Sequence, residues 1–274
     1  PEPRVRRERG RRDLSSRLMR RRIGITGVGV VSPFGVGIDA LWAGLVEGRS
    51  AIGPIRAFDA SGFPCRLAGE VQGYSARDLL PKHYRKATKV MARDTELAVG
   101  IAKLAVEDAG LVTRASLGED GQGTTSYPGD RVGCQIGAGL IAAETEELTS
   151  ALATAVADGT FSLKVWGESG LSNLQPLWLL KYLPNMLACH VTIIHGAEGP
   201  SNTITCGEAS GLLSLGESAR VIERGAADVC FSGGAESKVN LMGLLRQTFA
   251  GRAGETGSAV VGTDVVRPYA PGSI

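Results

Sequence analysis

Ser201-Asn-Thr-Ile-Thr-Cys206-Gly207-Glu208-Ala-Ser210-Gly211-Leu212-Leu213-Ser214-Leu215-Gly216-Glu-Ser-Ala219-Arg-Val-Ile222-Glu223 is the stretch on which the fold turns. Ser201 to Cys206 alternates like a strand. From Glu208 to Glu223, Leu212, Leu215, Ala219 and Ile222 recur at helical spacing, and Gly225 stops the run. Only Gly207 separates the two patterns, so the strand turns directly into the helix. A side chain at that corner meets the free N–H groups and positive dipole end of a helix. Such a place activates a thiol or holds an oxyanion.

Working outward, the same grammar repeats. Ala227 to Ser232 is an apolar strand ending at Gly233-Gly234, and Met186 to His195 is an apolar helix ending at Gly196. Arg131 to Gly137 reads as a second buried strand. Arg93 to Ala109 is the clearest helix, with Leu97, Ile101, Leu104 and Ala105 on one face and Gly110 as its stop. Ala142 to Ala157 reads as a further helix, whereas 159–180 fits no single period. Near the start, Arg22 to Ser32 is β-branched and glycine-punctuated, which predicts a buried strand. Ile38 to Val46 predicts a helix carrying Leu41, Trp42 and Leu45 and closed by Gly48. Residues 50–80 read as an irregular excursion with short strands. Strands alternating with helices indicate a layered α/β fold.

Composition narrows the function. At 274 residues and 43% hydrophobic, the chain can bury a sizeable core and is not disordered as a whole. No apolar run is long enough to span a membrane, and no signal-peptide core sits near the start. The near-neutral total hides a basic segment. Residues 1–22 hold ten arginines against Glu2, Glu8 and Asp13, so the remainder is net acidic. Residues 1–21 are expected to be a disordered basic arm and 22–274 the domain. The body carries no Lys/Arg stripe interleaved with aromatics, which argues against nucleic-acid binding. Cys65, Cys134, Cys189, Cys206 and Cys230 are scattered and lack CxxC spacing. No zinc site or disulfide framework is expected, and a cytoplasmic location is the default.

Simpler motifs fail on inspection. Gly27-x-Gly29 opens like a dinucleotide fingerprint, but Ser32 stands where its third glycine belongs. Gly207-Glu-Ala-Ser210-Gly211 places its serine one residue late for a nucleophile elbow. His190 and His195 lie in an apolar segment without acidic partners, which suits packed or capping histidines better than metal ligands. No metal or cofactor is expected.

As an ordered set, the segments resemble the β-ketoacyl-acyl-carrier-protein synthases, the type II ketosynthases of the thiolase-like superfamily. The pieces are Arg22-Ile-Gly-Ile-Thr-Gly-Val-Gly-Val-Val-Ser-Pro-Phe-Gly35, Leu41-Trp-x-Gly-Leu-x-x-Gly-Arg-Ser-Ala-Ile52 and Arg131-Val-Gly-x-x-Ile-Gly-Ala-Gly139. Leu183-Pro-Asn-Met, His195-Gly-x-x-Gly-Pro-Ser201, Ala227-Asp-Val229, Gly233-Gly-Ala-Glu236 and Arg267-Pro-Tyr269 follow. The resemblance implies the N-terminal half of a thiolase-like fold, a mixed five-stranded sheet with helices on both faces. It implies acyl thioesters and an acyl carrier protein as substrate and partner, in fatty-acid or polyketide synthesis. It further implies a homodimer, or a heterodimer with a ketosynthase, with Thr203–Cys206 at the interface, and an acyl pocket lined partly by Leu140.

Two departures qualify the expected activity. In the family a nucleophilic cysteine follows the serine of Gly-Pro-Ser by seven residues. From Ser201 that position is Glu208, and Cys206 comes two residues early, where serving as nucleophile would need a bulge. Glutamate is a poor substitute, because its acyl product is a mixed anhydride, far more readily hydrolysed than a thioester. Glu208 is either protonated, imitating the glutamine that chain-length factors carry there, or ionised at the helix N-terminus. Second, the family's catalytic histidines and lysine lie in a C-terminal half, and none of His83, His190 or His195 matches them. The expectation is a chain impaired in condensation, or alternatively a non-catalytic subunit like a chain-length factor. The helix from Glu208 is expected to be buried between two halves, so alone it leaves an apolar face uncovered.

Overall fold

The structure, a computed structural model, describes residues 22–118 and 121–254. The basic arm and Arg267-Pro-Tyr269 therefore lie outside the described residues. In chain order the elements are β1 (Val31–Ser32), β2 (Gly35–Val36), α1 (Ile38–Val46), β3 (Ile52–Pro54), β4 (Leu67–Gly69), α2 (Ala76–Leu79), α3 (Arg93–Asp108) and β5 (Val132–Gly137). There follow α4 (Thr145–Thr154), β6 (Val156–Ala157), β7 (Thr160–Phe161), α5 (Leu163–Glu168), α6 (Trp178–Lys181), α7 (Met186–His195), β8 (Ser201–Ile204), α8 (Ser210–Glu223), β9 (Val229–Gly234) and α9 (Leu241–Phe249).

The centre is a parallel sheet in the order β8-β5-β9. Every residue of the middle strand, β5, is buried. Its alternating residues serve two layers. Cys134 and Ile136 join Leu97, Val99, Leu187, Val191 and Ile194 in the core under α3 and α7. Gly133, Gln135 and Gly137 face the other way, toward α8. A Cβ on Gly137 would lie 2.5 Å from the Ser210 carbonyl carbon, so only glycine lets α8 approach this closely. The α/β layering therefore stands, with three strands in the central sheet among the described residues where the resemblance implies five.

The interface between α8 and the sheet is built from small polar residues. Ser210, Ser214, Ser218 and Val221 are the buried positions of α8. The Ser214 hydroxyl accepts from the Gly233 N–H at 3.1 Å and lies 2.8 Å from the Gly233 carbonyl, which ties α8 to β9. The leucines face outward, with Leu212 at 78% exposure and Leu213 and Leu215 also exposed. The expected uncovered apolar face is thus present, on the side away from the sheet.

One strand is not where its residues predicted it. In the run from Arg22 only Val31–Ser32 pairs, with Gly35–Val36 in a small antiparallel ribbon. Ile25 is 72% exposed. The run lies along α3, held by the Val28 N–H donating to Asp108 Oδ2 at 2.8 Å. Gly27 and Gly29 set that path: a Cβ on either would strike the backbone of Ala105 or Ile101. Close glycine-to-helix packing replaces the strand pairing that the β-branched pattern suggested. Residues 159–180 resist a single period because they combine half a tight hairpin, β6–β7, with α5, α6 and a 3-10 turn, none longer than six residues.

Candidate active site

Gly207, at φ +57°, makes the corner between β8 and α8. The helix begins at Ser210, two residues later than the periodicity placed it. The difference arises because the Ser210 hydroxyl closes the turn itself: it donates to the Gly207 carbonyl at 2.6 Å and accepts from the Cys206 N–H at 2.7 Å. A cavity of about 410 Å³ opens at this corner, lined by Gly207, Glu208 and Leu140 with Glu236, Lys238, Arg246 and Arg252 among others. The structure thus brings Glu208 and Leu140, far apart in sequence, to one cavity. Cys206 is exposed and is not among the residues lining it.

Glu208 is solvent-accessible, its side chain 73% exposed. Lys238 Nζ lies 3.6 Å and Arg252 3.5 Å from its Oε1. Its own backbone N–H and these two cations hold its carboxyl below the ordinary range. Of the two protonation states left open by the residues, exposure and the two neighbouring cations favour the ionised one. Lys238 also pairs with Glu236 at 3.1 Å. Arg246, on α9, donates to the Leu140 carbonyl at 2.6 Å and closes the cavity's far wall.

Lys238, Arg246 and Arg252 were not legible as site residues. They follow β9 by position in the fold, and no motif marks them. Gly233-Gly-Ala-Glu236 pointed to the neighbourhood without naming the cations two to sixteen residues beyond it. His190 and His195 lie away from the cavity in the core of α7, 7% and 3% exposed. His195 Nδ1 sits 2.8 Å from the Thr113 hydroxyl, and its ring packs at 4.9 Å from Phe231. All five cysteines are free thiols. Among the described residues, no helix is long and apolar enough to cross a membrane.

The family model "Beta-ketoacyl synthase, N-terminal domain" matches residues 20–253. A 3-oxoacyl-[acyl-carrier-protein] synthase 2 of Synechocystis sp. is 30% identical over 222 residues, covering 81% of this chain and 47% of that protein. The chain thus spans about half the length of the curated relatives it matches. Among solved structures, the ishigamide ketosynthase/chain length factor is similar with TM-score 0.61 and 26% identity, over 85% of this chain and 51% of the other. A β-ketoacyl synthase from Burkholderia phymatum matches with TM-score 0.61 and 25% identity, over 82% of this chain and 48% of the other. A β5 strand buried on both faces, a strand-glycine-helix corner over a cavity, and a family match running through both lead to one conclusion: this chain belongs to the beta-ketoacyl synthase family and carries its N-terminal domain.

Proposed function

We propose that this chain serves β-ketoacyl synthesis from acyl thioesters on an acyl carrier protein, with Glu208 at the position of the nucleophile and condensation impaired as a result. The observation that carries the reading is that Glu208, not Cys206, faces the cavity shared with Leu140. A thiol accepts an acyl group because the resulting thioester keeps its reactivity without decomposing at once. An ionised carboxylate, paired to Lys238 and Arg252, offers neither the sulfur nor a stable acyl product. What such a cavity retains is the capacity to bind a malonyl thioester and support release of its free carboxylate as CO2, or to complete an active partner. Leu140 supplies apolar wall for the acyl chain.

The test is acyl transfer from an acyl-carrier-protein thioester, read by intact mass and peptide mapping. The expected result is no adduct on the parent chain and an adduct at position 208 in Glu208→Cys. An acyl group on Cys206 of the parent would overturn the assignment.

A second reading, as a non-catalytic subunit paired with a cysteine-bearing ketosynthase, is favoured by two surfaces. The exposed leucines of α8 form an uncovered apolar face, and β8 is an edge strand whose outer side is unpaired among the described residues. The similar ketosynthase/chain length factor assembly fits the same reading. Co-expression with a cysteine-bearing homologue distinguishes the two. A stoichiometric complex, with acyl transfer confined to the homologue, supports the paired subunit, whereas acylation at position 208 in isolated Glu208→Cys supports the first reading.

A further inference from the structure

Beside the cavity lies a buried carboxylate that neither reading uses. Asp94 sits in the first turn of α3 and is 2% exposed. An acid in a first turn is ordinary, since it meets the positive end of the helix dipole. Burying one is not, because loss of water penalises its charged form. Asp94 Oδ1 accepts from the Ser237 N–H at 3.1 Å, across 143 positions of sequence. Ser237 stands between Glu236 and Lys238, both of which line the cavity. Lys238 is the residue 3.6 Å from Glu208, and Glu236 rests so closely on Gly139 that a Cβ there would lie 2.5 Å from its Oε1. One amide thus joins a core carboxylate to the segment that sets the charges facing Glu208. The charged groups facing Asp94 are Glu236 from that segment, which opposes its ionisation, and Arg246 from α9, which favours it. Burial is the strongest influence and lifts the carboxyl to about 6.

We propose that Asp94 is a positioning residue of this cavity: its carboxylate tethers the 235–240 segment through Ser237, and taking up a proton slackens the tether and shifts Lys238 relative to Glu208. The physical basis is that an ionised acceptor makes the stronger hydrogen bond. The proposal rests on the reading of this cavity as functional for its catalytic meaning; the tether itself rests on geometry alone.

The experiment is an amide NMR titration of the 274-residue chain from pH 5 to 8. The Ser237, Lys238 and Glu208 amides are expected to share one transition near pH 6. Asp94→Asn, which keeps an acceptor oxygen but cannot ionise, abolishes it. Asp94→Ala speeds amide exchange in 235–240 by about fivefold over Asp94→Asn, as loss of a hydrogen bond to a neutral oxygen predicts. Three results would overturn the proposal: no transition at Ser237, a transition that survives in Asp94→Asn, or movement at Ser237 with Lys238 and Glu208 still. Should Asp94→Ala fail to fold, the Asp94→Asn titration decides alone. Acyl uptake is not read, so a failure of the Glu208→Cys test leaves this result independent.

Discussion

His195 shows how a single residue links burial to pH. Desolvation, with a smaller contribution from Lys103, depresses it to about 4 in the folded chain. The unfolded chain protonates it near its ordinary value of about 6.5. Between those values the unfolded state binds the extra proton, so the stability that His195 provides is complete above about pH 6.5 and drains away as pH falls to about 4. The loss is on the order of 3 kcal/mol. Asp94 runs the other way, because its raised carboxyl stabilises the fold below about 4 and that contribution is lost as pH rises through about 6. Urea midpoints at pH 7.5 and 4.5 check the balance. His195→Gln is expected to flatten the acid loss, and Asp94→Asn to steepen it by removing the opposing effect. At the same scale Glu208 is exposed, so solvent screens its ion pairs and its ionisation contributes little to stability.

At the scale of the element, α8 is tested by two glycines with opposite surroundings. Gly137 meets the backbone of Ser210 and Gly211, which cannot give way, so Gly137→Ala is expected to push α8 off the sheet and cost about 1–3 kcal/mol. Gly216 of α8 has nothing within 4 Å of a Cβ, and Gly216→Ala is expected to stabilise by about 0.5–1 kcal/mol through helix propensity alone. Chemical denaturation of both variants measures the contrast. The same elements show what was readable beforehand. Helices α3, α7 and α8 were legible because each ends at a glycine whose positive φ only that residue adopts readily: Gly110, Gly196 and Gly225. The run from Arg22 was misread because β-branched residues between glycines also suit an extended segment laid on a helix, and nothing local separates the two. Glu208 and Leu140 are candidates from a motif register, and the structure places both at one cavity. Asp94 was not legible, because an acid in a first turn looks the same whether water or Ser237 lies beyond it.

For the whole molecule, the outward leucines of α8 set the solution behaviour of the 274-residue chain. Leu212, Leu213 and Leu215 are exposed on one helix, and apolar clusters of this kind bind partners or each other. The chain is expected to bind a hydrophobic dye and to scatter more light as concentration rises. Leu212→Lys combined with Leu215→Glu is expected to lower both signals without changing the unfolding free energy by more than about 0.5 kcal/mol, since neither side chain is buried. Unchanged scattering would move the interface elsewhere.

Strand-to-helix alternation, glycine stops and the ordered motif series are local properties, so they reveal the layered α/β class, the corner at Gly207 and the family without coordinates. The charge state of Glu208, the small-residue contact between α8 and the sheet, and the link from Asp94 to Ser237 emerged only on folding. Coulomb forces and hydrogen bonds depend on distance in space, and the groups involved come from residues 19 to 143 positions apart.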